Sequence, residues 1–297
     1  METIRCLVDT ADELGESPVW DPRDNCVWWL DNLKPAIHRC DPATGAHAEW
    51  KLPEFVGSIG LRAKGGFIAG TLQGFAILDP EKGIFDTIAR PEPDRPGNRM
   101  NDGKVDRRGR YWCGGMNARF VETYEASASL WRLDPDGSVH RMETGIIVGN
   151  GIAFSPDDRT MYLSDSSAKT VWAYDFDLDA GTIANRRVFL SATNFPGHNG
   201  KVDGAAVDTD GFYWAALPYD GLLMRYAPDG RVDRCYRMPS SCPTMPSFGG
   251  AGHDVMFVTT ARKFLNGWQR GVQRWEGALL EITGLGVKAL PEPMFAG

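Results

Sequence analysis

The stretch NDGKVDRRGRYWCGGM, from Asn101 to Met116, returns downstream as DGAAVDTDGFYWAALP, from Asp203 to Pro218. Each copy has a short strand ending in Val-Asp, a turn of charged residues and Gly, and a second strand that carries Tyr-Trp. Alternating apolar residues around a turn of that composition form a β-hairpin signature. The same hairpin is found outward in both directions: ESPVWDPRDNCVWWLD from Glu16 and NGIAFSPDDRTMYLSDS from Asn150. Weaker copies read GSIGLRAKGGFIAGT from Gly57 and MPSFGGAGHDVMFVTTA from Met245.

Most copies are followed by a second strand pair around a second turn, such as IHRCDPATGAHAEW, FAILDPEKGIFDTI and LWRLDPDGSVHRM. The starts lie 41 to 53 positions apart, and periods of that size belong to propeller blades. The expectation is one all-β domain over residues 1–297, a six-bladed β-propeller with four antiparallel strands per blade. A β-sandwich accounts for any one hairpin but not for a four-strand unit recurring so regularly. Ring closure is expected to pair the N-terminal IRCLVD with GALLEITGLGVKAL of the last blade, which removes an exposed edge.

Composition narrows the function. The chain has 297 residues, 42% of them hydrophobic, and a net charge of -7. A surplus of acid gives no means of neutralising a phosphate backbone, so nucleic acid is not an expected partner. No stretch reaches the eighteen or so apolar residues of a membrane helix, and the first residues lack a signal-peptide pattern. A cytoplasmic protein is expected, of unspecified oligomeric state. Six scattered cysteines without a CxxC pair argue against a disulfide framework or a zinc knuckle.

In a propeller the first strand of each blade lines the central channel. The residues opening those strands here include Glu16, Asn101, Asn150 and Asp203. Buried carboxylates and amides are costly unless paired or bound to metal, and a cation resolves their convergence. An all-oxygen set suits calcium, magnesium or manganese; zinc and iron(II) also bind oxygen. Each residue alone also reads as a turn former, since Asn-Gly and Asp-Gly are common turn dipeptides.

At these positions the sequence resembles the SMP-30/gluconolactonase/luciferin-regenerating-enzyme family, which includes regucalcin. The matching stretches are GESPVW (from Gly15), RMNDGKVD (from Arg99), GNGIAFSPD (from Gly149), KVDGAAVD (from Lys201) and FGG (from Phe248). The resemblance implies one divalent metal held by Glu16, Asn150 and Asp203, with Arg99 and Asn101 contacting substrate. In related diisopropyl fluorophosphatases the Asn matching Asn101 is itself a ligand. The family's acidic substrate contact has only a loose counterpart, Glu122, and the loop FPGHNGKVDG before Asp203 is longer than usual.

The implied activity is hydrolysis of a sugar lactone to the aldonic acid, with the metal as Lewis acid and Asp203 as general acid/base. Phosphotriester hydrolysis on the same site, or metal binding without turnover, are the alternatives. Asp102 and Lys104 are expected to flank the site or shape the turn, and His198 to be a solvated loop residue. No GxSxG elbow supports a nucleophilic serine. The tryptophans fit packing between blades.

Overall fold

The computed structural model describes residues 2–195, 197–265 and 270–297. It contains six four-stranded antiparallel sheets. Their innermost strands are Gly15–Asp21, Val56–Leu61, Asn98–Val105, Gly149–Phe154, Ala205–Val207 and Pro243–Gly249, defining blades one to six. Five blades are built from consecutive strands. The sixth takes its outermost strand, Thr3–Val8, from the start of the chain. That strand pairs with Leu279–Thr283 in the register Thr3↔Thr283 and Cys6↔Leu280, the closure expected from the sequence.

Burial follows from this arrangement. Inner strands are packed on both faces and are buried along most of their length, whereas outer strands such as His47–Lys51 alternate between exposed and half-buried positions. Large aromatics fill the spaces between blades. Trp28 packs with blade-two residues Ile59 and Phe67, Trp112 with blade-four residues Ile152 and Phe176, and Trp214 with blade-six residues Phe248 and Met256. Removing a buried Trp side chain costs roughly 3–5 kcal/mol.

The repeated Val-Asp is also explained. Asp106 accepts the N–H groups of Arg108 (2.9 Å) and Arg110 (3.1 Å) and the indole N–H of Trp112 (2.8 Å). Asp208 does the same for Asp210 (3.0 Å), Phe212 (3.0 Å) and Trp214 (2.9 Å). One buried carboxylate therefore fixes both the hairpin turn and the aromatic that seals the next blade.

The channel has two different ends. Inner strands start at one end, where the axial residues and the long loops gather. At the other end the C-terminal segment crosses beneath the strands. Phe295 donates to Leu61 O at 2.8 Å and accepts from Ala63 N at 2.9 Å, and Glu292 pairs with Lys104 at 2.7 Å. Lys104 thus belongs to the closed end; the expectation that it flanks the site is corrected, because it lies three residues, about 10 Å of strand, beyond Asn101 and its ammonium pairs with Glu292. All six cysteines are free, four of them buried. Among the described residues no helix is long and apolar enough to cross a membrane.

Candidate metal centre at the open end of the channel

Glu16 and Asn150 are each the second residue of their inner strand, and Asn101 is the fourth of its own. Asp203 lies two residues before Ala205–Val207 rather than opening a strand; its N–H donates to Ala216 O at 3.0 Å. In the first and fourth blades the pairing register breaks immediately after the axial residue, between Glu16 and Val19 and between Asn150 and Ala153, and in the third Asn101 lies within the break between Met100 and Gly103. Such bulges re-aim a side chain.

The residue after the axial one adopts a left-handed conformation in two blades, Ser17 at φ 51° and Gly151 at φ 55°. Gly suits that region, and a Cβ on Gly151 would come within 2.4 Å of the Tyr213 hydroxyl. Ser17 is held there by Ile59, whose N–H donates to Ser17 Oγ at 2.9 Å.

Three further carboxylates position the strand entries. Asp31 accepts the N–H groups of Glu13 (2.9 Å) and Leu14 (3.2 Å), just before Glu16. Asp165 accepts those of Ile147 (2.9 Å) and Val148 (3.3 Å), before Asn150. Asp220 accepts those of Asn199 (2.8 Å) and Gly200 (3.1 Å), before Asp203. The sequence reading missed these clamps, although Asp31 and Asp165 both close the second strand of their blade, in WLDN and LSDS.

The amides are connected. Asn150 Nδ2 donates to Ser166 Oγ at 2.8 Å, so its Oδ1 turns to the axis and accepts from Asn101 Nδ2 at 2.7 Å. Asn101 Oδ1 accepts from Arg99 Nη1 at 2.8 Å, and the guanidinium of Arg99 stacks 4.0 Å from the Phe55 ring centroid. Arg99 is therefore a strand residue at the site, not a surface residue of the Pro-rich loop before it.

Burial raises the carboxyl of Glu16 well above its ordinary range, and the charges of Asp203 and Asp102 add to the effect. Burial likewise raises Asp203, with Asp102 adding and Lys263 and Arg99 opposing. Asp102 is pushed up to about 6 by burial, although Ile152 N–H donates to its Oδ2 at 3.0 Å; its other oxygen is buried without a partner. Burial lowers Arg99 to about 10, against the pull of Glu16. Carboxylates destabilised by one another in this way are relieved by a cation. Among the described residues no group of three or more His, Cys, Asp or Glu is spaced to hold a metal. The set that converges here is two carboxylates and the inward oxygen of Asn150, all hard donors that fit a divalent cation.

The family model of the SMP-30/gluconolactonase/LRE-like region matches residues 14–262, which contain Glu16, Arg99, Asn101, Asn150 and Asp203. The chain belongs to this family. It is 33% identical over 296 residues to the 6-deoxy-6-sulfogluconolactonase of Pseudomonas putida, covering 100% of this chain and 99% of that one. With pentonolactonase XacC of Haloferax volcanii it shares 32% identity over 261 residues, 87% of this chain and 85% of the relative. The crystal structure of regucalcin from Agrobacterium tumefaciens, described as a calcium-binding protein, superposes with a TM-score of 0.91 at 28% identity, covering 99% of this chain and 97% of the other.

Within this family member, Glu16, Asn101, Asn150, Asp203 and Arg99 meet at one end of the channel. Glu122 does not join them. It is exposed, in the single helical turn Phe120–Thr123, and its N–H donates to Arg119 O at 2.9 Å. His198 is exposed, with Nδ1 3.8 Å from Asp220 Oδ1. Phe55, Tyr219 and Lys263, which also stand at this end, lie in loops, where no periodicity marks them.

Proposed function

We propose that this chain is a metal-dependent lactonase that opens a sugar lactone to its aldonic acid at the axis of the propeller. The observation that carries the reading is the convergence of Glu16, Asp203 and the inward Asn150 oxygen beside a stacked, half-buried Arg99. The names of the two lactonase relatives support the reaction class, and the calcium-binding relative supports a divalent ion.

Glu16, Asn150 and Asp203 would hold the cation, leaving positions for water and substrate. When bound, the ion supplies Lewis acidity toward the lactone carbonyl. Asp203 uses its free oxygen to take a proton from the attacking water as the new carbon–oxygen bond forms. It returns that proton to the ring oxygen as the ring bond breaks, which conserves atoms and charge. Arg99, oriented by Phe55 and Asn101, presents its remaining N–H donors to the sugar hydroxyls or to the developing carboxylate. Asn101 spends both ends of its amide on Arg99 and Asn150, which favours a positioning role over direct ligation.

The test is protein stripped of metal and assayed on a panel of aldonolactones, with calcium, magnesium, manganese, zinc and iron(II) restored one at a time. Hydrolysis that depends on the ion and is lost in Asp203→Asn is expected. A faster rate on a phosphotriester than on every lactone would move the assignment to phosphoryl chemistry, and ion binding without turnover of either would make the chain a binding protein.

A further inference from the structure

Residues 261–265, which follow strand Val255–Thr260 in the sixth blade, lie beside the entry to the first blade. Two contacts fix its first residues to the entry of the first blade: Ala261 bridges Leu14, and Lys263 N–H donates to Glu13 O at 2.8 Å. Lys263 is thus anchored beside the chain that leads into Glu16. Its ammonium is one of the two cations, with Arg99, that act on Asp203, and it lies in the field of Glu16 as well. Its side chain stays exposed, 5.6 Å from the Phe264 ring centroid.

Phe264 packs against Tyr219 with centroids 4.8 Å apart, and Lys201 Nζ lies 5.7 Å from the Tyr219 ring centroid. The rim is therefore an aromatic pair with a lysine at each end. Nearby acids are already engaged. Glu13 pairs with Arg270 at 2.9 Å, and Asp220 accepts backbone N–H groups. Among the described residues neither Lys201 nor Lys263 has an acidic partner within 4.0 Å.

A divalent cation held by Glu16 and Asp203 would cancel their charges. Arg99, Lys201 and Lys263 would then face the buried Asp102, and Asp220, whose oxygens are taken up by backbone N–H groups, leaving a net positive charge among these residues. Glu16 and Asp203 are partly buried while Lys263 is exposed, so the lysines meet the part of a ligand that projects outward from the reacting ring.

We propose that the rim formed by Lys201, Tyr219, Lys263 and Phe264 is an anion subsite, and that the preferred lactone carries a negatively charged substituent remote from its carbonyl. This rests on the lactonase reading above. An ammonium donating to a phosphate or sulfonate oxygen forms a charge-assisted hydrogen bond, worth about tenfold or more in affinity.

The experiment compares glucono-1,5-lactone with its 6-phospho derivative, using the metal-loaded wild type, Lys263→Gln and Lys263→Arg. In parallel, gluconate and 6-phosphogluconate are titrated calorimetrically. The ratio of kcat/KM for the phosphorylated over the neutral lactone is expected to exceed one in the wild type. It should fall at least tenfold in Lys263→Gln, chiefly through KM, and recover in Lys263→Arg. An unchanged ratio in Lys263→Gln, or a wild type that prefers the neutral lactone, overturns the subsite. If neither lactone is hydrolysed but 6-phosphogluconate binds at least tenfold more weakly to Lys263→Gln, the subsite stands and the lactonase reading falls. If it also fails to bind the wild type, both fall.

Discussion

Ser166 Oγ sits 2.8 Å from Asn150 Nδ2 and thereby decides which end of that amide faces the channel axis. The serine is itself fixed by donating to Val202 O at 2.5 Å, one residue before Asp203. Two of the proposed ligands are thus oriented through a single hydroxyl. In Ser166→Ala the amide loses its anchor, and the cation meets an Asn150 free to present nitrogen. Divalent-ion affinity measured by calorimetry is expected to drop ten- to a hundredfold, the range usual for partners that orient a ligand.

Asp203→Asn separates chemistry from stability. Loss of a general acid/base costs about 10²–10⁴ in rate. In metal-free buffer, however, the same change removes a buried charge that faces Glu16 and Asp102. The variant is expected to melt at a higher temperature than the wild type in EDTA and to lose that advantage once the ion is restored. A lower melting temperature in EDTA would mean that the carboxylates do not repel one another as described.

His38 offers a pH test away from the axis. It is buried, with Nδ1 3.2 Å from His47 Nε2 and Nε2 3.6 Å from Asp12 Oδ1. Burial, helped by His47, lowers its pKa to about 4. The folded protein therefore binds fewer protons at this site than the unfolded chain. The stabilisation is complete above the unfolded value of about 6.5 and is lost as pH falls toward 4. Asp12, which burial raises to about 7, has the opposite sign and gains stability over the same descent. Comparison with His38→Gln isolates the histidine. The stability gap between wild type and variant should narrow by about 2 kcal/mol from pH 7.5 to pH 5 in denaturant titrations; a constant gap would show that His38 is not held neutral.

Ser17 tests the cost of aiming Glu16. Gly at this position relieves the left-handed strain, worth about 1 kcal/mol, but leaves Ile59 N–H without its acceptor, a loss of about 1–3 kcal/mol. Ala loses the acceptor and keeps the strain. The expected order of thermal stability is wild type, then Ser17→Gly, then Ser17→Ala, and inversion of the two variants would remove the strain from the account.

The blades were legible because their hairpins repeat a short strand, a polar turn and an aromatic-rich strand, and in the third and fifth blades also a Val-Asp ending whose Asp holds the Trp N–H. Glu16, Asn101 and Asn150 could be found because each breaks an apolar pattern at a matching place. Asp203 was found for the same reason, although its backbone stands outside the strand. Lys104 misled because only three residues of strand, about 10 Å, carry the chain from the open end to the closed one. Lys263, Tyr219 and Phe55 reach the site from loops whose paths depend on contacts distant in sequence. Glu122, singled out by position alone, proved to sit on an exposed turn.

The pairing of Thr3–Val8 with Leu279–Thr283 also bears on how the chain is made. During synthesis the first strand emerges long before its partner exists, so blades one to five can assemble in order while that strand waits unpaired. Closure is then a late event joining a strand made before the first blade to the strand that completes the sixth, and a cell that stalls translation before Leu279 is left with an open ring whose two edges are free to pair with other molecules.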